Sequence, residues 1–353
     1  MKILHVITSL CTGGAEHLMV DLLPRLVDLG NEVELLVFDG NRTAFYEELE
    51  QKGITIHSLG TDGNVYHPRN IFKLMKFVGK YDIIHTHNTA CQLFVPIAKI
   101  LKCNKVKLVT TEHSANNRRR EKWYLKPIDK WMYNRYKSII CISEKPAENL
   151  IKHIGTKDSI TIINNGVNVE KFLYPIKEIA KYQSFLITQV SSFNDAKDQD
   201  TLVRSIQELP DNYRLQLAGD GTRRPIVETL VKTLGLTERV DFLGIRTDIP
   251  EILKQSDIVV LSSHWEGLSL SSIEGMASGR PFIASDVDGL HEIVKDAGIL
   301  FPHGDYKQLA KEIRQLCKNP KYYHEVAENC QERAKQFDIS VMAVNYNKLY
   351  KSL

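Results

Sequence analysis

Residues 264–285 are HWEGLSLSSIEGMASGRPFIAS, and this stretch says more about fold and ligand than any other part of the chain. The apolar run before it, DIVVLSS at 257–263, predicts a buried strand that leads directly into the stretch. A Gly-Leu-Ser turn follows, and a helix is then expected to end at Gly279, with Pro281 just beyond it. The backbone N–H groups of residues 268–270 would point out of the amino end of that helix, where anions bind.

Two carboxylates flank this predicted turn. Glu266 lies just before it, and Glu274 lies about one and a half turns into the helix. From that position the Glu274 carboxylate is able to reach back towards a sugar diol. Anion donors between two carboxylates suit a ligand that is both a phosphate and a polyol.

Composition indicates a globular protein with more than one domain. The chain has 353 residues, of which 43% are hydrophobic and 25% are charged. A single hydrophobic core usually supports a shorter chain than this, so two domains are expected. The net charge of +3 is too small to indicate nucleic acid as the partner.

Cysteine spacing and hydropathy indicate in which compartment of the cell the protein is expected to function. The six cysteines include no Cys-x-x-Cys pair, which predicts reduced thiols in a cytoplasmic protein rather than disulfides or a zinc site. The first residues, MKILHVITSL, are typical of a strand and not of a signal peptide. No apolar run reaches about 18 residues, so any membrane attachment is expected to be peripheral, on the inner face of the cell membrane.

Short β-branched apolar runs alternate with helical periodicity along the chain. Strands are predicted at residues 2–8, 32–38, 54–59, 81–87, 107–113, 138–143 and 159–164, and then at 184–190, 214–219, 240–244, 257–263, 281–286 and 298–301. Helices are predicted between them, including 16–29, 42–52, 69–79, 91–102, 123–136 and 144–153. Strict alternation predicts an α/β fold with parallel sheets covered on both faces.

The alternation pauses at residues 167–183, a polar stretch that contains Pro175. We therefore predict an N-terminal Rossmann-like domain at 1–170, a linker at 171–183 and a C-terminal Rossmann-like domain at 184–337. Doubly wound sheets bind ligands beyond the carboxyl ends of their strands, so the two domains are expected to face each other across a cleft. The tail at 338–353 has one apolar helical face, typical of a final helix.

Two further loops carry groups that suit a phosphate. Gly13 and Gly14 follow the first strand and allow a ligand to approach a helix amino end, although a tight βα turn explains them equally well. Lys197 follows the first strand of the second domain, where a lysine is able to neutralise a diphosphate as a point charge. An ordinary solvated lysine is the alternative.

Three histidines lie at strand ends in the first domain. His85 and His87 share one face of their strand and have a spacing that a metal would accept, but no third ligand with suitable spacing is visible, so no metal site is predicted. His113 ends the strand KLVTTEH and is expected to open onto the ligand cleft.

The segment at 116–137 mixes basic and aromatic residues, with only Glu121 and Asp129 opposing the positive charge. This composition suggests a surface for the membrane or for an anionic lipid-linked acceptor. The alternative is a solvated helix with its aromatic side chains packed inward. The candidate surface residues are Arg118, Arg119, Arg120, Lys122, Trp123 and Lys126.

With these residues in place, the chain resembles the family 4 glycosyltransferases of the group 1 type, which have the GT-B fold. The resemblance covers nearly the whole length. It is carried by the Glu-x7-Glu pair of Glu266 and Glu274 inside EGLSLSSIEGMASGRP, the GGAEH loop, His113, NNGVNVEKF at 164–172 and AGDG at 218–221. Members of the family also cross their final helix back onto the first domain, which fits residues 338–353.

The resemblance implies a role for each candidate residue. Glu274 would hold the ribose hydroxyls of a nucleotide-sugar donor, Glu266 would contact the donor sugar, and His113 would lie beside the transferred sugar. Catalytic roles are implied for His113, Glu266 and Lys197. Contacts to the donor are implied for Gly13, Gly14, Ser192, Lys197, Gly219, Arg246, Glu266, Gly267, Leu268, Ser269, Leu270 and Glu274, with the base near Ile245 and Arg246.

One departure from the family pattern concerns the diphosphate. The family often has Gly-Arg before the lysine, whereas this chain has Ser191 and Ser192, so a hydroxyl replaces a charge. Arg223 or Arg224 is a candidate to supply the missing charge.

The resemblance further implies a retaining, metal-independent transferase without a cofactor. A UDP-sugar is the favoured donor, and a glycan carried on a polyprenyl lipid is the implied acceptor, as in bacterial-type surface polysaccharide synthesis. Two other functions are compatible with the same fold: a UDP-sugar 2-epimerase and a non-catalytic nucleotide-sugar-binding subunit.

Overall fold

The computed structural model describes residues 1–11, 13–61, 63–113, 122–155, 158–179 and 184–353. The chain forms two compact units. The first contains Met1–Gly166 together with Ile339–Leu353, and the second contains Val167–Asp338. The first unit is therefore built from both ends of the chain.

The first unit contains a parallel sheet of seven strands with the order β3-β2-β1-β4-β5-β6-β7. Its strands are β1 Lys2–Ile7, β2 Glu32–Val37, β3 Thr55–Ser58, β4 Ile83–His87, β5 Lys107–Glu112, β6 Ser138–Cys141 and β7 Ile160–Ile162. Its helices are α1 Gly14–Asp28, α2 Ala44–Gln51, α3 Arg69–Leu74, α4 Thr89–Leu101, α5 Lys126–Tyr133 and α6 Glu144–Ile154, with the last helix of the chain, Ile339–Ser352.

Both faces of this sheet are buried, as the parallel strand pattern predicts. One face packs against α1 and the final helix, which places Tyr346 and Tyr350 in the same apolar cluster as Leu22 and Ile83. The other face packs against α4, α5 and α6. Strand β4 has no exposed residue.

The second unit contains a parallel sheet of six strands with the order β10-β9-β8-β11-β12-β13. Its strands are β8 Phe185–Val190, β9 Tyr213–Ala218, β10 Val240–Gly244, β11 Ile258–Leu261, β12 Phe282–Ser285 and β13 Ile299–Phe301. Its helices are α7 Gln199–Gln207, α8 Arg224–Thr233, α9 Ile249–Gln255, α10 Leu270–Ala277, α11 His291–Val294, α12 Tyr306–Lys318 and α13 Pro320–Lys335. The final helix of the chain is therefore α14.

Each sheet has one point where the strand order reverses. In the first unit β1 lies between β2 and β4, and in the second β8 lies between β9 and β11. Loops diverge at such a point beyond the carboxyl ends of the strands, and ligands bind there in doubly wound folds. The Gly13–Gly14 loop follows β1, and the loop that contains Lys197 follows β8.

Each of the thirteen predicted strands is present, and so is the doubly wound architecture. Two helix predictions were too long. Helix α3 ends at Leu74 rather than at residue 79, because its last turn tightens into i to i+3 bonds such as Phe77 N to Leu74 O. Residues 123–136 form a 3-10 turn, Trp123–Leu125, before α5 begins with Pro127 in its first turn.

Candidate functional site

Lys197 and Glu266 form an ion pair at the carboxyl edge of the second sheet. Their loops follow β8 and β11, which are paired strands, and the backbone joins them where His264 N donates to Ala196 O at 2.8 Å. The Lys197 ammonium contacts Glu266 Oε1, and the Ser263 hydroxyl donates to the same oxygen at 2.6 Å. The two side chains are only 13% and 10% exposed, so the ion pair is largely shielded from solvent.

The backbone around Glu266 depends on a glycine that the sequence prediction did not name. Gly289 has φ +84°, and a Cβ there would lie 2.4 Å from Gly267 O and 2.5 Å from Glu266 O. Glu266 N also donates to Asp288 O at 3.3 Å. The Asp-Gly dipeptide after β12 was the available signal, since it is typical of a turn that needs positive φ.

Helix α10 begins at Leu270, so the predicted turn does lead into a helix amino end. Ser269 is the N-cap residue, but its side chain does not cap the helix and instead bonds the Ser271 hydroxyl at 3.1 Å. A helix leaves its first N–H groups without intrahelical acceptors, and they carry partial positive charge. Glu274 lies in the second turn of this helix and is 8% exposed.

The loop after β8 is shaped by Gly219 and Gln199. Gly219 has φ +136°, and a Cβ there would lie 2.0 Å from Ser191 O, so this glycine lets the strand ends pack together. Gln199, which the sequence prediction missed, is fully buried and donates to Ser191 Oγ at 3.1 Å and Ser192 O at 3.0 Å. Its own Oε1 has no hydrogen-bond partner within the described residues.

The arginines near this edge are already paired. Arg246 binds Asp248 through two hydrogen bonds, at 2.8 and 2.5 Å, which raise the pKa of the arginine and lower that of the carboxyl. Arg223 contacts Asp200 at 3.1 Å, and Arg224 contacts Glu228 at 2.8 Å. Neither Arg223 nor Arg224 is therefore an uncompensated charge held for a ligand. The neighbouring Ile245 is 77% exposed and offers an apolar surface.

In the first unit, Gly13 and Gly14 lie at the amino end of α1. Gly13 is the N-cap residue, with extended backbone and no side-chain cap, and Gly14 is the first helical residue. A Cβ on Gly14 would meet no atom within 4 Å among the described residues. This open space at a helix amino end is compatible with a phosphate, as the sequence suggested.

His113, at the end of β5, bonds to a buried row of histidines. Its Nε2 lies 2.9 Å from His87 Nδ1, and His87 Nε2 lies 3.0 Å from His5 Nδ1. Parallel pairing of β1 with β4 sets His5 directly beside His85. The sequence analysis saw no third ligand at a suitable spacing from His85 and His87, because His5 comes from a strand that is distant in sequence.

The row continues through hydroxyl groups that include two from α14. Tyr350 Oη lies 2.6 Å from His85 Nδ1 and 3.4 Å from His5 Nε2. His85 Nε2 lies 2.8 Å from Thr111 Oγ1, which lies 3.0 Å from Tyr346 Oη. Both ring nitrogens of His5, His85 and His87 are thus in hydrogen bonds. We name this set the histidine chain; its members are His113, His87, His5, Tyr350, His85, Thr111 and Tyr346.

Burial keeps the histidine chain neutral. It lowers the pKa of His5 to about 3 and that of His113 to about 4, and it holds the pKa values of His85 and His87 well below their usual range. Neutral imidazoles are potential metal ligands, and one nitrogen each of His5, His85 and His87 lie within 4.8 Å of one another. Their hydrogen bonds account for these nitrogens without a metal.

A second group of the same kind lies in the second unit. His264 Nδ1 is 2.6 Å from His303 Nε2 and 3.9 Å from Asp198 Oδ2. Asp198 is already engaged as the N-cap of α7, where it accepts from Thr201 N at 3.1 Å. Its carboxylate therefore has a structural role that needs no ion.

The basic–aromatic segment falls partly outside the described residues, which do not include Arg118, Arg119 and Arg120. Lys122 and Lys126 are exposed, and so is Trp123, at 83%. Tyr133 and Tyr136 are buried. The segment thus combines both alternatives, with outward aromatics at its start and inward ones at its end. Among the described helices, none has both the length and the apolar character that crossing a bilayer requires.

Comparison with known proteins places this architecture in a class. The Anabaena protein HepE, crystallised in complex with UDP, matches with a TM-score of 0.85 at 23% identity, with 100% of each chain covered. The two Rossmann-like sheets of this chain therefore have the GT-B fold. The family model of the group 1 glycosyl transferases matches residues 174–337, and that of glycosyltransferase family 4 matches residues 12–171.

Curated relatives agree with those two models. The putative glycosyltransferase EpsD of Bacillus subtilis is 28% identical over 73% of each chain. An α-1,4-N-acetyl-D-galactosaminyltransferase of Campylobacter jejuni, named for a diphospho-undecaprenol-linked acceptor, is 27% identical over 99% of this chain and 98% of its own. The chain belongs to the group 1, family 4 glycosyltransferases.

The neutral histidine chain predicts a loss of stability in mild acid. Unfolded histidines bind protons below about pH 6.5, whereas those of the folded chain do so only near or below pH 4. The unfolded state therefore takes up more protons between these values, and the free energy of unfolding should fall by about 1.4 kcal/mol per pH unit for each histidine involved. Urea titrations at pH 7.0, 6.0, 5.0 and 4.5 measure it, and a free energy that stays constant from pH 7 to 5 would contradict the burial argument.

Proposed function

We propose that the protein transfers a sugar from a UDP-sugar to a lipid-linked glycan, with retention of anomeric configuration and without a bound metal. The observation that carries this proposal is the grouping within one unit of a helix amino end, a lysine and two carboxylates. That grouping suits a diphosphate joined to two sugars. The relatives' names, with diphospho-undecaprenol acceptors, and the UDP-bound HepE structure support the choice of substrates.

The donor would bind at the carboxyl edge of the second sheet. Its diphosphate would accept hydrogen bonds from the backbone of residues 267–270 at the start of α10 and from the Ser192 hydroxyl. Glu274 would accept hydrogen bonds from the ribose hydroxyls. The base would lie against the exposed side chain of Ile245, beside the Arg246–Asp248 pair.

The Lys197–Glu266 pair gives the donor two groups at once. The donor diphosphate would replace Glu266 as the partner of the Lys197 ammonium. The Glu266 carboxylate would then accept a hydrogen bond from a hydroxyl of the donor sugar. The partner exchange keeps both charges compensated, which matters because both side chains are largely buried. The helix end and Lys197 would then stabilise the negative charge that develops on the leaving diphosphate.

The reaction would be a front-face displacement. The acceptor hydroxyl forms the new glycosidic bond on the face from which the UDP oxygen departs, and a donor phosphate oxygen takes the hydroxyl proton. Lys197 and the α10 amino end provide the charge stabilisation that this step needs, so the mechanism requires no metal as Lewis acid. The exposed Lys122, Trp123 and Lys126, with Arg118–Arg120, would meet the acceptor at the inner membrane surface.

Incubation with a panel of sugar nucleotides, with and without polyprenyl-diphosphate-linked glycans, tests the function. We expect transfer from a UDP-sugar that depends on the acceptor. Conversion of the donor alone into another sugar nucleotide would identify an isomerase instead. Saturable binding without any turnover across the panel would identify a non-catalytic subunit, and a thermal-shift screen detects it because a bound ligand raises the melting temperature.

Separate roles for Glu274 and Lys197 predict different kinetic defects. Glu274→Ala should weaken donor binding by about 1–3 kcal/mol, because the ribose loses its acceptor, while Lys197→Met should lower kcat roughly 100-fold by removing transition-state charge stabilisation. Calorimetric titration with UDP-sugar measures the first, and initial rates measure the second. Glu228→Gln serves as a control, since Glu228 pairs with Arg224 on α8. Unchanged donor affinity in Glu274→Ala refutes the ribose assignment.

Stereochemistry and chelation test the mechanism. NMR of the product should show the same anomeric configuration as the donor sugar, and the rate should be unchanged after dialysis against EDTA. An inverted linkage would exclude front-face displacement. Activity that is lost with EDTA and restored by a divalent ion would show a metal requirement, and Asp198, His264 and His303 would be the first residues to substitute.

A further inference from the structure

The histidine chain ends at His113, so its hydrogen atoms determine what His113 offers to a ligand. A neutral imidazole carries one N–H donor and one acceptor nitrogen. When both nitrogens are engaged, the ring accepts at one and donates at the other. A buried hydroxyl with two partners does the same, because accepting from both would leave its own hydrogen without an acceptor among the described residues. The direction of any one bond in the chain therefore fixes the direction of all the others.

Two directions pair every hydrogen between the two ends of the chain, and they differ at Tyr346. If the bonds run from His113 towards Tyr346, the Tyr346 oxygen accepts from Thr111, and its own hydroxyl hydrogen has no acceptor among the described residues. Tyr346 is 0% exposed, so that hydrogen would be buried and unpaired, which costs free energy. If the bonds run from Tyr346 towards His113, every hydrogen of the chain has an acceptor.

The second direction can be followed link by link. Tyr346 donates to Thr111, Thr111 to His85 Nε2, and His85 Nδ1–H to Tyr350. Tyr350 donates to His5 Nε2, and His5 Nδ1–H donates to His87 Nε2. Finally, His87 Nδ1–H donates to His113 Nε2. A neutral His113 that accepts at Nε2 must carry its proton on Nδ1.

We propose that the histidine chain holds His113 as its Nδ1–H tautomer, so that His113 is a hydrogen-bond donor to a substrate oxygen and not a base that accepts a proton. His87, His5 and Tyr350, with the distal Tyr346, are then positioning residues that act through His113. The tautomer follows from the chain itself, whereas the contact with a substrate oxygen rests on the proposed transfer reaction. Burial supports the proposal because His5, His85 and His87 are 0% exposed, which keeps these imidazoles neutral.

The tautomer is measurable without substrate. In protein with 15N-labelled histidine at pH 7.5, long-range proton–nitrogen correlation distinguishes a protonated from an unprotonated ring nitrogen, and His113→Gln identifies the His113 signals. We expect a protonated Nδ1 and an unprotonated Nε2 at His113. The reverse pattern in the wild-type protein would overturn the proposal, whichever reaction the enzyme carries out.

Two substitutions test whether the chain sets this tautomer. Tyr346→Phe removes the first donor and should give a mixture of His113 tautomers, with kcat lowered roughly two- to fivefold and KM for the donor unchanged. Tyr136→Phe is the matched control, because it deletes a buried hydroxyl of the same unit that bonds Thr86 and Gln92 outside the chain. An unchanged His113 spectrum in Tyr346→Phe would overturn the role of the chain.

Two substitutions of His87 test the hydrogen bond from His87 to His113. The amide nitrogen of His87→Asn is able to replace imidazole Nδ1 as the donor, so His113 should keep its tautomer. His87→Leu has no donor, and kcat should fall roughly tenfold, the equivalent of about 1.4 kcal/mol. Equal spectra for the two variants would count against the proposal. If the tautomer is as expected but no sugar transfer occurs, the proposed reaction fails while the tautomer assignment stands.

Discussion

Parallel pairing of β8 with β11 is the constraint on which the second unit's site depends. Two strands that run in the same direction end at the same edge, so the loops after them must meet there. This brings a lysine and a glutamate that are 69 residues apart into contact. The same sheet aims the amino end of α10 at that edge, because a helix that connects parallel strands begins where the preceding strand ends. A positively polarised helix end, an ammonium and two carboxylates are thus gathered by topology.

Much of this organisation was predictable because parallel strands buried on both faces have a simple pattern. Apolar β-branched runs separated by helical periodicity specified all thirteen strands. The turn from β11 into α10 was equally clear, since Gly267, Gly279 and Pro281 punctuate it. These signals are local, and each depends only on residues within one element and its ends. Placement of Glu266 and Glu274 beside that turn followed from the same short segment.

The sequence did not reveal features that depend on register between distant strands or on the path of a loop. His5 looked like an interruption of an apolar strand, and only the pairing of β1 with β4 sets it beside His85. Gly289 packs against the backbone of Glu266 and Gly267, and Gln199 donates to Ser192 O. Nothing in the segments around Gly289 and Gln199 indicates these contacts. Arg223 looked like a spare charge because Asp200, its partner, is distant in sequence.

The position of α14 has a consequence for how the chain is made. This helix supplies Tyr346 and Tyr350 to the core of the first unit. In the sequence, however, the whole second unit, Val167–Asp338, separates them from the rest of that unit. A ribosome adds about 5–20 residues per second, so during synthesis the part of this face that α14 covers, beside His5 and His85, stays open for many seconds. The second unit is able to fold as soon as it emerges, whereas the first is completed only by the last residues of the chain.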